Sequence, residues 1–144
     1  MAKVLIIYHS QTGSTKAMAE LIATGVRREG LIADIKEAVK TSVDMLLGYE
    51  AIIIGSPTYY GCMASEVKYL LDDSVKLHGK LACKIGGAFS SSANVGGGNE
   101  STILSILHAM LIHGMIIRGD HQGDHYGPVS IGVPDDRATK ECLR

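Results

Sequence analysis

VLIIYHSQTGST, residues 4–15, is the stretch on which the fold turns. The β-rich run Lys3–Tyr8 reads as a short strand. It passes through Ser10, Gln11, Thr12, Gly13, Ser14 and Thr15 directly into a segment of helical period. From Ser14 to Glu29, Met18, Leu21, Ile22, Gly25 and Val26 recur at i, i+3, i+4, i+7 and i+8, an apolar stripe on one helix face, and Gly30 follows as a C-terminal cap. A strand, a turn of small hydroxylated residues and an amphipathic helix, in that order, form the first half of a βαβ unit.

The rest of the chain repeats the alternation. Leu31–Glu37, Ala51–Gly55, Cys83–Ser90 and Met115–Arg118 are further candidate strands. Helices are expected near Val43–Leu47, Met63–Leu71 and Glu100–His113, the last burying Ile103, Leu104, Leu107, Met110 and Leu111. Alternation of this kind predicts parallel strands joined by crossover helices. Asp135 and Asp136 after Pro134 mark one more helix start, with only about two and a half turns of chain up to Arg144. Because such a sheet needs cover on both faces, that end is expected to be thinly covered or completed by self-association.

Composition narrows the function classes. The 144 residues, 46% of them apolar, suffice for one domain, residues 1–144, with a real core. Fourteen basic residues against 15 acidic ones give no field that would recruit nucleic acid or an anionic membrane. The apolar stretch Ile103–Ile117 is broken by Ser105, His108, His113 and Gly114, and falls short of the roughly 20 residues of a membrane span. Cys62, Cys83 and Cys142 show no CxxC spacing, and no leader pattern precedes the first strand, so a reduced cytoplasmic protein is expected. No metal site is expected from the six histidines.

In open α/β sheets, ligands bind beyond the carboxyl ends of the strands where strand order reverses. The loops after the first, third and fourth strands therefore carry the chemistry. Ser10–Thr15 brings hydroxyls and backbone N–H groups to a helix N-terminus, an anion site that needs no lysine. After the third strand stand Pro57, Thr58, Tyr59, Tyr60 and Gly61, an aromatic pair among small residues, suited to a flat ring lying against backbone. After the fourth come Ser90, Ser91, Ser92, Ala93, Asn94, Val95, Gly96 and Gly97, small residues that leave backbone exposed. Taken singly, the three loops also read as an ordinary helix cap, a turn with surface tyrosines and a flexible Gly/Ser stretch. Their joint occurrence in one βα pattern is far more specific. A Walker loop and a GxGxxG fingerprint are both absent. A receiver-type domain would need acidic residues where Tyr8, His9 and Gly55 stand.

VLIIYHSQTGST, AIIIGSPTYYG and AFSSSANVGGGNESTILSILHAMLIHGMII together resemble the flavodoxin-like FMN proteins. They resemble the tryptophan-repressor-binding-protein type of NAD(P)H:quinone reductase more closely than the short electron-carrier flavodoxins. The resemblance implies a doubly wound five-stranded parallel sheet of order 2-1-3-4-5 with a short last helix. It implies FMN with its phosphate on Ser10–Thr15, its isoalloxazine bordered by Thr58–Tyr60, and its pyrimidine side wrapped by Ser91–Gly96. It also implies a catalytic histidine beside the flavin at His113, a residue that could equally cap a helix or sit in the core. The chain departs from that group in its short segment Ala38–Glu50, its lack of tryptophan and its short end. The expected activity is hydride transfer from NAD(P)H through FMN to a quinone-like acceptor, by a homo-oligomer. The alternative is an electron carrier serving redox protein partners, which a net charge of −1 and the missing Trp disfavour.

Overall fold

A computed structural model describes all 144 residues. In chain order the elements are β1 (Lys3–Tyr8), α1 (Ser14–Arg28), β2 (Ile32–Glu37), β3 (Ala51–Pro57), α2 (Ser65–Asp73), β4 (Ile85–Ser92), α3 (Asn99–Ile112), β5 (Ile116–Ile117), β6 (Val129–Ile131) and α4 (Asp136–Leu143). Short 3-10 turns occupy Ala38–Lys40, Val43–Gly48 and Ser74–Leu77, the second where a helix was expected near Val43–Leu47. The sheet is parallel throughout, in the order β2-β1-β3-β4-β5, as the resemblance implies.

The expected fifth strand is in fact two pieces. β5 pairs with Ile85 and Gly86 at the start of β4, and β6 pairs with Ser90–Ser92 at its end. Since β3 occupies the other side of β4 as far as Ser91, β5 and β6 share one edge, separated by an excursion over residues 118–128. The return is held tightly. Gly127 has φ +141°, and a Cβ there would lie 2.0 Å from the Ala88 carbonyl oxygen. The Asp124 carboxylate accepts the Val129 N–H at 2.9 Å and pairs with Arg137 of α4 at 2.8 Å. A three-residue strand after so polar a stretch carries no periodicity of its own, which is why the sequence alone shows five strands.

The two faces are covered unequally. On one side, 18 buried apolar residues, among them Leu5, Ile7, Ile52, Ile54, Ile103 and Met110, pack beneath α2 and α3. On the other, ten, including Ile6, Met18, Phe89 and Cys142, pack beneath α1 and α4. The second face depends on glycine at two points of close approach. A Cβ on Gly55 would overlap the fully buried Phe89 ring at 2.1 Å, and one on Gly25 would meet the Leu143 carbonyl oxygen at 2.5 Å. Between α1, the end of α4 and the excursion there remains a cavity of about 340 Å³ with Ile22, Val26, Ile53 and Leu143 in its wall, the thinly covered place expected from the short last helix.

Candidate functional site

β1, β3 and β4 end side by side, and their following loops meet over the sheet's carboxyl edge. Ser10, Gln11, Thr12, Ser14 and Thr15 from the first loop, Pro57, Thr58 and Tyr59 from the second, and Ser91, Ser92 and Ala93 from the third line one cavity of about 200 Å³. Hydroxyls tie the strand ends together beneath it. Thr15 and Ser91 share a hydrogen bond of 2.9 Å between α1 and β4. The Thr58 hydroxyl lies 3.0 Å from that of Ser90, which donates to the Ser56 carbonyl at 2.8 Å, and the Thr58 N–H donates to the Ser91 carbonyl at 2.8 Å. Thr15 and Ser90–Ser92 are buried, so this serine-rich platform is an internal part of the fold.

The opening of α1 is built to take an anion. Gly13 adopts φ +101° at the N-cap, where no side chain caps the helix and no acidic residue occupies the first turn. The Gly13 N–H donates to Ser10 Oγ at 3.1 Å, and its carbonyl accepts from the Ala17 N–H at 3.0 Å. The first-turn N–H groups therefore face the loop without an intrahelical partner, with the positive end of the helix dipole behind them. α3 also begins at a glycine in the left-handed region, Gly98, but carries Glu100 in its first turn. Of the two, only α1 presents an uncapped, acid-free terminus to the cavity.

The second loop is a tight hairpin. Tyr59 and Cys62 exchange both backbone hydrogen bonds, while Tyr60 (φ +51°) and Gly61 (φ +73°) make the turn. The Tyr60 side chain stands wholly in solvent. Tyr59 donates to Gln11 Oε1 at 2.8 Å, clamping the second loop to the first. Burial, with the Glu66 carboxylate nearby, pushes the Tyr59 phenol above its ordinary value, so it remains a donor. His9, next to the loop, lies 3.6 Å from Glu66. In the third loop Ala93, Asn94, Val95 and Gly96 are exposed, and Gly97 closes a turn by donating to the Asn94 carbonyl at 3.1 Å. Gly98 must be glycine: a Cβ there would sit 2.8 Å from Gly61 Cα, where the second and third loops touch.

The structure thus gathers the three expected loops and leaves out His113. That residue ends α3 at the opposite, amino edge of the sheet, where its Nε2 lies 2.8 Å from the Ser74 hydroxyl, and it is buried. Fourteen helical residues at 1.5 Å each set it about 20 Å from the loop at Gly98. The catalytic expectation for His113 is accordingly withdrawn in favour of the helix-capping, buried reading. One wall residue was not anticipated. Gly132, after β6, lines the cavity and donates its N–H to the Ser92 carbonyl at 2.9 Å. Its sequence signal is that of the other loops, a glycine after a short β-branched run, but β6 is too short to stand out as a strand.

Residues 5–92, from β1 to the end of β4 with the first two loops between, match the flavodoxin domain family. The chain belongs to this family. A protein of Aquifex aeolicus named flavodoxin is 39% identical, the alignment covering all of this chain and 82% of that one. A protein of Archaeoglobus fulgidus named NAD(P)H dehydrogenase (quinone) is 33% identical over 94% of this chain and 89% of its own length. The solved structure of a flavodoxin from the domain Archaea superposes with a TM-score of 0.80 at 30% identity, covering 99% of this chain and 92% of that one. FMN is the cofactor of this flavodoxin-family chain, and its residues fit the group. The uncapped α1 terminus ringed by Ser10, Thr12 and Ser14 suits a terminal phosphate, and the Tyr59 hairpin and the exposed residues 93–96 suit a flat ring.

Proposed function

We propose that the protein is an NAD(P)H:quinone-type reductase working through FMN, a self-associating enzyme of the cytoplasm. The FMN would be held by Ser10–Thr15 at its phosphate and bordered by Pro57–Gly61 and Ser90–Gly97 at its ring. Bound FMN supplies the two-electron chemistry, accepting hydride from a reduced nicotinamide and passing the electrons to the acceptor. The chain's own part is to position, to donate hydrogen bonds and to leave access. Thr58, locked to Ser90 and Ser91, fixes where the second loop ends; Gln11 holds Tyr59 against the first loop. The backbone of residues 93–96 offers N–H groups at the rim.

The observation that carries the reductase reading is the makeup of the third loop. Ala93, Asn94, Val95, Gly96 and Gly97 place no aromatic ring on the third-loop side of the site, so that the aromatics beside it, Tyr59 and Tyr60, both stand on the second loop. The chain's single phenylalanine, Phe89, is buried beneath Gly55. A planar nicotinamide or quinone can then approach to the roughly 3–3.5 Å that hydride transfer requires. The electron-carrier reading retains one specific support, the whole-chain likeness to the Aquifex aeolicus flavodoxin.

Anaerobic mixing of the FMN-loaded protein with NADH or NADPH, followed by a benzoquinone, separates the two. A reductase bleaches the flavin absorbance within the turnover time and recovers it with quinone, giving parallel double-reciprocal lines. A carrier bleaches slowly or not at all, yet exchanges electrons with a reductase protein. Self-association is supported by the half-covered apolar wall around Ile53, and sedimentation is expected to show a dimer or larger at micromolar concentration. A stable monomer would contradict it. No helix is long and apolar enough to cross a membrane.

A further inference from the structure

The first loop separates two cavities. One is the serine-lined site already described; the other, of about 430 Å³, opens on the loop's far side, over the ends of β1 and β2. Ser10, Gln11, Thr12 and Gly13 of the first loop form one wall of it, and the rest of its lining is of a different kind. Tyr8 and Val39 supply aromatic and aliphatic surface, His9 and Lys16 supply basic groups, and Glu37, the last residue of β2, supplies a carboxylate. Val39 is 66% exposed, an aliphatic side chain with nothing packed over it. Glu37 holds Lys40 through Oε2 at 3.1 Å, while Lys16 takes part in none of the ion pairs. The site used for FMN needs none of these five residues.

We infer that this second cavity receives the adenosine end of the nicotinamide donor, that Glu37 accepts hydrogen bonds from the adenosine ribose diol, and that NADH is therefore preferred to NADPH. The nicotinamide end of the inference rests on the reductase reading; the adenosine end rests on the cavity itself. Doubly wound dinucleotide sites place an acidic residue at the end of the second strand, where it bonds the ribose hydroxyls. Glu37 holds that place in the β1-α1-β2 unit although the chain has no GxGxxG turn and the α1 terminus serves the FMN phosphate.

The distances allow one molecule to serve both places. With strands in the order β2-β1-β3-β4, the cavity over β2 and β1 stands two strand spacings from the cleft over β3 and β4, about 10 Å. A diphosphate linking the two ends would cross between them past His9, which follows β1 and lies beside Glu66, and over the Gln11–Tyr59 hydrogen bond. Lys16, exposed on the first turn of α1, faces the same cavity as a second cation for the diphosphate. A 2′-phosphate would set a dianion beside the Glu37 carboxylate and compete with it for Lys40, the carboxylate's own ion-pair partner, so discrimination arises from repulsion.

The test is calorimetric titration of the FMN-loaded protein with ADP-ribose and with ADP-ribose 2′-phosphate. ADP-ribose is expected to bind and to compete with NADH, and the 2′-phosphate form to bind at least tenfold more weakly. Glu37→Gln should remove most of that difference while leaving the FMN content unchanged, and Val39→Asp should weaken both ligands. Failure of ADP-ribose to bind, equal or tighter binding of the 2′-phosphate form, or indifference to Glu37→Gln would overturn the inference. ADP-ribose binding without NADH oxidation would uphold the cavity's assignment and sink the reductase reading. NADH oxidation that ADP-ribose does not inhibit would do the reverse.

Discussion

The two ends of α3 treat an unpartnered polar group in opposite ways. At the carboxyl edge of the sheet, where α3 begins, the loops leave backbone N–H groups open: the first turn of α1 is uncapped, and residues 93–96 are exposed. Such groups lose nothing by waiting, since water serves them until a ligand replaces it. At the amino edge, where α3 ends, His113 Nδ1 is buried with no partner at all, and the ring centroid of His78 lies 6.2 Å away. Water cannot reach that atom, so it is a stability liability. An unsatisfied polar atom marks a site only where solvent or a ligand can reach it.

The largest expected effect strikes the platform beneath the open end. Gly55→Ala would drive a methyl group into the ring of Phe89, its partner on β4, which is fully buried beneath α1 and α4 and cannot move aside. A loss of about 3 kcal/mol is expected, read as a lowered denaturation midpoint. A midpoint shift worth less than about 1 kcal/mol would mean that the platform is softer than its packing implies.

Next comes the anion end itself. A Cβ at Gly13 meets nothing within 4 Å, so Gly13→Val acts through backbone conformation alone, by removing the φ of +101° that shapes the loop. FMN affinity should fall at least tenfold, about 1.4 kcal/mol, in an equilibrium titration. Unchanged affinity would detach the phosphate from this loop.

The smallest effect belongs to the closed end. Burial, with His78 nearby, holds the His113 imidazole below its ordinary value, so the folded protein resists protonating it. The unfolded chain then binds more protons below about pH 6.5. His113 therefore gives its full contribution above that pH, and stability declines as the pH falls toward the lowered folded value. His113→Gln, which keeps a donor toward Ser74 and removes the titration, should flatten the pH dependence of the denaturation midpoint below pH 6.5 and leave FMN affinity alone. A change in FMN affinity would reconnect this residue to the flavin.

The same contrast explains what was legible in the sequence. Ser10–Thr15, Pro57–Gly61 and Ser90–Gly97 could be read because their residue types are chosen for chemistry at the end of a strand, and strand ends are local. His113 could not be placed, because its neighbours depend on where a 14-residue helix ends in space. β6 was hidden because Val129–Ile131 is too short to show a period, and its position comes from Gly127 pressed against Ala88. Glu37 is the last residue of β2, a strand visible in the sequence, but its cavity is not legible there because it is formed with β1 and α1, not by the loop after β2 alone.

The central claim is that the open end of α1 is a phosphate site, and equilibrium titration of the FMN-free protein with FMN and with riboflavin tests it most directly. The two ligands differ only in the terminal phosphate. FMN is expected to bind at least a hundredfold more tightly, about 2.7 kcal/mol, with most of the difference lost in Gly13→Val. Riboflavin binding as tightly as FMN would contradict the account.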